Sequence, residues 1–310
     1  MPRRHPCACR RTARAAVLGL GTAIWPAAPL PAQGITVVLL DTALLTAPRL
    51  GESSGLAASR VRPGVYWSHN DSGDGPYLYA TDSTGADLGA VRVRGAHATD
   101  WEDLAAGPCG GSRRTCLYLA DIGDNDANRP YVVVYRIVEP TPPRGPADTT
   151  ATVPLLDSLV LRYPDRPHDA EALAVTPSGW LLVVTKDRSG PARLFRARVP
   201  AGSRQLLLED AGALPIAINL IRGRLVTGAA VSPNGRLLAV RTYVSLHFFA
   251  LDERGQPTPL TPEAGIGIPV VEDQGEAVTF DGPDRLVLSS ERGQRGRAIL
   301  TRLRLTGLPR

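Results

Sequence analysis

The chain has 310 residues, with 35 Lys and Arg against 30 Asp and Glu and a formal net charge of +5. All five excess charges are arginines near the start (Arg3, Arg4, Arg10, Arg11 and Arg14), so the remainder carries 30 cations against 30 acids. That balance argues against a nucleic-acid surface or a membrane patch, and no segment reaches the ~18 uninterrupted apolar residues of a membrane span.

Those arginines form a basic lead-in to an apolar run at 15–24, and Leu30-Pro31-Ala32 offers a small residue for cleavage. The pattern predicts a bacterial secretory signal peptide over residues 1–32 and one mature domain over 33–310 in the periplasm or outside the cell. Arg10-Arg11 leaves a twin-arginine route open beside the general one. Cys7 and Cys9 fall in the leader, so the mature chain keeps Cys109 and Cys116. In an oxidising compartment this pair is expected to close a hairpin; a metal-binding dithiol is the other reading.

The mature chain repeats a short phrase. Glu52-Ser-Ser-Gly-Leu-Ala, Asp100-Trp-Glu-Asp-Leu-Ala, Asp169-Ala-Glu-Ala-Leu-Ala, Thr227-Gly-Ala-Ala-Val-Ser and Gln274-Gly-Glu-Ala-Val-Thr each lead into strand-like runs. Their centres at Leu56, Leu104, Leu173, Val231 and Val278 are 48, 69, 58 and 47 residues apart. Short β runs at a period of roughly 40–50 residues predict an all-β propeller. The first repeat predicts strands at 55–59, 65–68, 77–80 and 88–93, separated by Gly- and Pro-rich turns. The second predicts 104–106, 116–120, 131–137 and, after a Pro-rich excursion, 156–163. The third predicts 172–176, 180–185, 193–198 and 205–208, and the fourth 228–232, 236–241, 246–251 and a weak run at 258–260. The fifth supplies only 277–280, 285–289 and 299–305. The strand 34–40 at the mature N-terminus would complete it and close the ring, removing a free edge. Five four-stranded blades fit this arithmetic. Six is the alternative, because 211–227 could hide strands, and a β-sandwich with insertions is the rival architecture.

In such a blade the start of the inner strand and the end of the second strand lie at one face. Residues before the inner strands (Glu52, Asp100, Glu102, Asp169, Glu171 and Glu276) should therefore crowd one mouth of the channel. So should those after the second strands, among them His69, Asn70, Asp71, Asp121, Lys186, Arg241 and Glu291. Six carboxylates around a narrow mouth need protons or a cation. Oxygen ligands without a His or Cys cluster suit Ca²⁺, which would be held by Glu52, Asp100, Glu102, Asp169, Glu171 and Glu276. Glu102, Glu171 and Glu276 occupy one position in three repeats and form the centre of that set. The second group would contact a bound ligand, with Lys186 and Arg241 facing an anion. A structural ring of ion pairs is the plainer reading.

Other signals are weaker. Gly51-Glu-Ser-Ser-Gly55 matches the nucleophile-elbow string, but a β strand follows it instead of the required helix. Asp121-Ile-Gly-Asp-Asn-Asp is either a ligand-rich loop or a turn. Trp67 and Trp101 fit core packing or substrate stacking, and His69 fits a structural role or a general base. No nucleophile–base pair is legible, so no catalytic residue is assigned.

The Glu-Ser-Ser-Gly-Leu-Ala opening, the Asp-x-Glu-Ala/Asp-Leu-Ala lead-ins and the late Ser-Ser-Glu-Arg resemble secreted bacterial propellers of the SdiA-regulated and phytase-like (esterase-like) groups, over residues 51–305. The resemblance implies a calcium-dependent ligand or hydrolase site at the channel mouth. Blade four departs from it, with Ala229 in place of the acid. Two functions are therefore expected to compete. One is a hydrolase of an anionic small molecule such as a phosphoester or lactone, using cation-held water. The other is a non-catalytic binding or scaffold propeller that grips a protein or polymer. A monomer is expected in either case.

Overall fold

The computed structural model describes residues 34–71, 73–110, 114–143, 145–146, 151–188, 190–216, 221–294 and 296–309, together with Met1. The chain divides into two units, Met1–Gln33 and Gly34–Arg310, and the second carries the fold. Apart from Met1, the segment read as a signal peptide lies outside the described residues.

Five sheets, each built on antiparallel consecutive strands, surround a channel among the described residues. Their inner strands are Ser53–Ala58, Trp101–Pro108, Ala170–Val175, Val226–Val231 and Gln274–Phe280. Each packs on the next, and the fifth returns to the first. The fold is a five-bladed propeller. Alternating side chains explain the packing, because one apolar cluster lies between each pair of blades. Trp67 and Trp101 are buried together between blades one and two.

The ring closes as the sequence predicts. Thr36–Leu44 pairs antiparallel with Ile299–Thr306, running from Thr36 opposite Thr306 to Leu44 opposite Ile299. Asp41 and Arg302 add a two-pronged ion pair across the seam, both contacts at 2.6 Å.

Two outer segments behave differently from expectation. Thr152–Pro154 and Arg204–Leu207 each run parallel to the outer strand of the preceding blade, before the chain enters its own outer strand. The apolar run at 205–208 is therefore an edge cover on blade two, and Glu209–Ala213 completes blade three. Covering an otherwise free edge is the physical gain. The 211–227 stretch ends blade three, contains the short helix Ile221–Arg224 and opens blade four, so no sixth sheet forms among the described residues.

Cys109 and Cys116 form a disulfide with Cα atoms 5.0 Å apart, tying the hairpin between the first two strands of blade two.

Candidate functional site

All five inner strands carry a β-bulge at the same place. The register passes from Trp101↔Asp121 to Asp103↔Ala120, and from Ala170↔Thr185 to Ala172↔Val184. Val226↔Thr242 to Gly228↔Arg241 and Gly275↔Ser290 to Ala277↔Ser289 repeat the slip, as does Ser53↔Asn70 to Leu56↔Ser68. The extra residue is Ser54, Glu102, Glu171, Thr227 and Glu276 in blades one to five. A bulge re-aims its side chain, which is how a strand that packs a core can also send a carboxylate into the channel. In blade four this position is Thr227, two residues before the Ala229 expected from the repeat phrase.

The three bulge glutamates are 4–5 % exposed. Carboxylate oxygens of Asp71, Asp100 and Glu102 all lie within 4.8 Å of one another. Among the described residues Asp71 Oδ1 is buried without a partner. Gly123 closes over the group: a Cβ there would stand 2.2 Å from Glu102 Oε1 and 2.4 Å from Asp100 Oδ2. Burial, then Asp71 and Asp169, pushes the Asp100 carboxyl up to about 6. Burial, then Glu171 and Asp71, holds Glu102 well above the ordinary carboxylate range. This cluster of hard oxygens, one of them buried without a partner among the described residues, fits a divalent cation.

Lys186 stands on the other side. Its Nζ donates to Glu171 Oε1 at 2.6 Å and lies 5.4 Å from the centre of the Tyr243 ring. Burial opposes the ammonium charge, but Glu171, Tyr243 and Glu276 more than offset that and hold it above the usual lysine range. Burial raises Glu171 to about 7 against the pull of Lys186. Burial and Glu171 raise Glu276 to about 8, and burial with Asp71 and Glu52 raises Glu291 to about 7. The mouth thus gathers several carboxyls that burial and one another hold above the ordinary range.

The remaining predicted site residues are distributed around this centre. Glu52, Asn70 and Glu291 line a recess of about 550 Å³ between blades five and one. Asn70 is committed there to loop structure, accepting from the Gly51 and Glu52 N–H groups and donating to Arg49 O and Asp74. Asp169 and Lys186 line a smaller recess of about 190 Å³ with Arg166 and Arg188. Asp169 accepts from the Asp124 N–H at 3.0 Å.

Three predicted residues have their side chains engaged elsewhere. Arg241 is fully buried, paired with Glu272 and donating to Ala277 O at 2.7 Å and Ser289 O at 3.0 Å. It therefore ties blade four to blade five. Asp121 accepts from Arg129 at 2.9 Å and from the Asp100 N–H at 3.2 Å. His69 is buried edge-on to Trp101 with Nδ1–H donating to Asn70 O at 2.8 Å, and burial pushes it below the ordinary histidine range. In the Asp121–Asp126 stretch, Asp124 caps the Asn128 and Arg129 N–H groups, which is turn chemistry. Ser53, centre of the elbow-like string, is buried and bonded to Ser68 and Ser289.

One residue that the repeat phrase contained but did not single out is Asp103. Its buried carboxylate accepts the N–H groups of Leu104 at 2.7 Å, Leu173 at 2.8 Å and Ala229 at 3.2 Å. These donors come from blades two, three and four, each two residues past its bulge, so Asp103 spans the channel below the mouth. Burial pushes its carboxyl up while the three N–H groups hold it down. An acid where the other repeats have Gly or Ala was the available signal.

The chain matches no protein-family model and no curated protein. Among solved structures it is similar to a PQQ-bound aldose sugar dehydrogenase from Streptomyces coelicolor, at 14 % identity over 89 % of this chain and 99 % of that one, with a TM-score of 0.51. It is also similar to a calcium-binding protein, regucalcin, from Agrobacterium tumefaciens, at 15 % identity over 85 % and 95 % of the two chains, with a TM-score of 0.46. At such identities the first likeness shows the propeller fold alone, and the second is too loose to argue from.

Proposed function

We propose that the mouth binds a divalent cation, Ca²⁺ by preference, on Asp71, Asp100 and Glu102, and that a small anionic molecule binds beside it. The observation that carries this reading is the cluster of Asp71, Asp100 and Glu102 carboxylates, in which Asp71 Oδ1 is buried without a partner among the described residues. Leaving such a group charged and unpaired is costly, and a hard cation removes the cost. Glu171 and Glu276, raised to about 7 and 8, would hold protons or complete an outer shell, and Lys186 would orient the anion. When bound, the cation supplies Lewis acidity for hydrolysis of a phosphoester or lactone, the activity suggested by the phytase-like resemblance. The disulfide and the predicted leader support export.

Turnover of phosphoester, carboxylester and lactone panels should appear with Ca²⁺, vanish with chelator and fall in Glu102→Gln. The close Lys186–Glu171 pair favours a second reading, in which the mouth is a neutralised structural ring of a binding or scaffold propeller. A calcium-independent protein without turnover would establish that alternative.

A further inference from the structure

Between strands Thr115–Asp121 and Val132–Val138 of blade two, the loop that starts at Asp121 and runs to Arg129 closes over the Asp100 and Glu102 carboxylates. Ile122 anchors it in the apolar cluster between blades two and three. Gly123 follows, and its φ lies outside the left-handed region, so the turn itself does not call for glycine. The carboxylates do: a Cβ at this position would meet Glu102 Oε1 and Asp100 Oδ2 before anything else. Bare backbone therefore stands against both acids, where any other residue would push them aside.

The loop is held from several sides. Arg129 donates from Nη1 to Gly123 O at 2.7 Å and from Nη2 to Asp121 Oδ1 at 2.9 Å. The same Asp121 oxygen accepts the Asp100 N–H at 3.2 Å, and Asp100 O accepts the Gly123 N–H at 3.3 Å. Asp124 accepts the Asn128 and Arg129 N–H groups and donates its own to Asp169 Oδ1 at 3.0 Å, which ties the loop to blade three. Ala127 is the one non-glycine residue with positive φ among the described residues, at 49°. Such strain persists only where surrounding contacts over-determine the backbone.

We propose that this loop fixes the spacing of the cation-binding oxygens and makes the mouth select Ca²⁺ over Mg²⁺, with Gly123 as its wall and Arg129 as its positioning residue. The inference rests on the cation site proposed above. Mg²⁺ takes oxygens at about 2.0–2.1 Å in a strict octahedron, against about 2.3–2.6 Å in an irregular shell for Ca²⁺. Carboxylates that are walled in and tied cannot draw inward around the smaller ion. Charge does not explain Arg129, because a guanidinium close enough to act on Asp100 opposes a bound cation. Its fork does, since one planar group spans Gly123 and Asp121 at once.

Calcium and magnesium titrations of the metal-free mature chain by calorimetry, beside amide hydrogen exchange, test this. The native chain should prefer Ca²⁺. Gly123→Ala should weaken Ca²⁺ about tenfold or more and leave the metal-free melting temperature unchanged, because the added methyl displaces only the ends of two side chains. Arg129→Lys, which keeps the charge and loses the fork, should narrow the preference for Ca²⁺ about tenfold. It should also speed exchange of the Gly123 and Asp124 amides without metal. Arg129→Met should narrow the preference equally. Were Arg129 acting by charge alone, Arg129→Lys would keep the native preference and Arg129→Met would tighten both ions together. Either pattern overturns the proposal, as does native calcium affinity in Gly123→Ala. A native chain that binds neither ion overturns the cation site and this proposal with it, whereas binding of both ions without preference overturns this proposal alone.

Discussion

Blades two, three and five place Glu102, Glu171 and Glu276 at the inner-strand bulge, whereas blades one and four place Ser54 and Thr227 there. The backbone event is the same in all five, but its use differs. The hydroxyls stay at the backbone: Ser54 donates to Glu102 O and Thr227 to Glu276 O, each at 2.8 Å, fastening one blade to the next. The longer glutamates leave the backbone and meet in the channel. Bulge geometry therefore provides the direction, and side-chain length and charge decide whether the position builds the ring or charges its mouth. Asp103, one residue past a charged bulge, does the fastening that a glutamate at the bulge gives up.

The largest effect expected from breaking this arrangement is Asp103→Ala. It strands three buried N–H groups from three blades and should cost about 4 kcal/mol in denaturant unfolding. A loss under about 1 kcal/mol would show that Asp103 fastens nothing. Lys186→Met comes next. It leaves Glu171 buried without its partner, and about 3 kcal/mol should be lost at pH 8. The loss should shrink at pH 6, where Glu171 neutralises itself by taking a proton. An equal loss at both values would contradict the electrostatic account.

A graded effect follows for the metal-free protein. Asp100, Glu171, Glu291 and Glu276 are raised from ordinary carboxyl values to about 6, 7, 7 and 8. The folded state therefore binds more protons than the unfolded chain between about pH 4 and 8, so stability is highest at the acid end of that window and declines as pH rises through it. A melting temperature that climbs toward pH 8 without metal would reverse the sign. The smallest effect belongs to a fastening hydroxyl: Thr227→Val should cost about 1 kcal/mol. Thr227→Glu should instead add a fourth acid and tighten cation binding.

The blades were legible because hydrophobic alternation and turn chemistry are local, and the closing strand because the fifth repeat lacked one. The outer strand of blade three was misplaced because an apolar run at 205–208 looks the same whether it completes its own sheet or covers the edge of another. At the mouth, repeat position alone placed Glu102, Glu171 and Glu276 at one bulge position. Arg241 followed the same positional rule, yet its partner Glu272 lies 31 residues away in the next blade and no local pattern announces it. Bulges too were invisible, since they are a property of pairing and not of one strand. That is why blade four was aligned on Ala229 in place of Thr227.

The most direct test is calcium titration of the metal-free mature chain by calorimetry at pH 8, beside Glu102→Gln. The account predicts one saturable site in the native chain, proton release on binding as raised carboxyls ionise, and loss of the site in the variant. No binding at pH 8, or undiminished binding in Glu102→Gln, would contradict it.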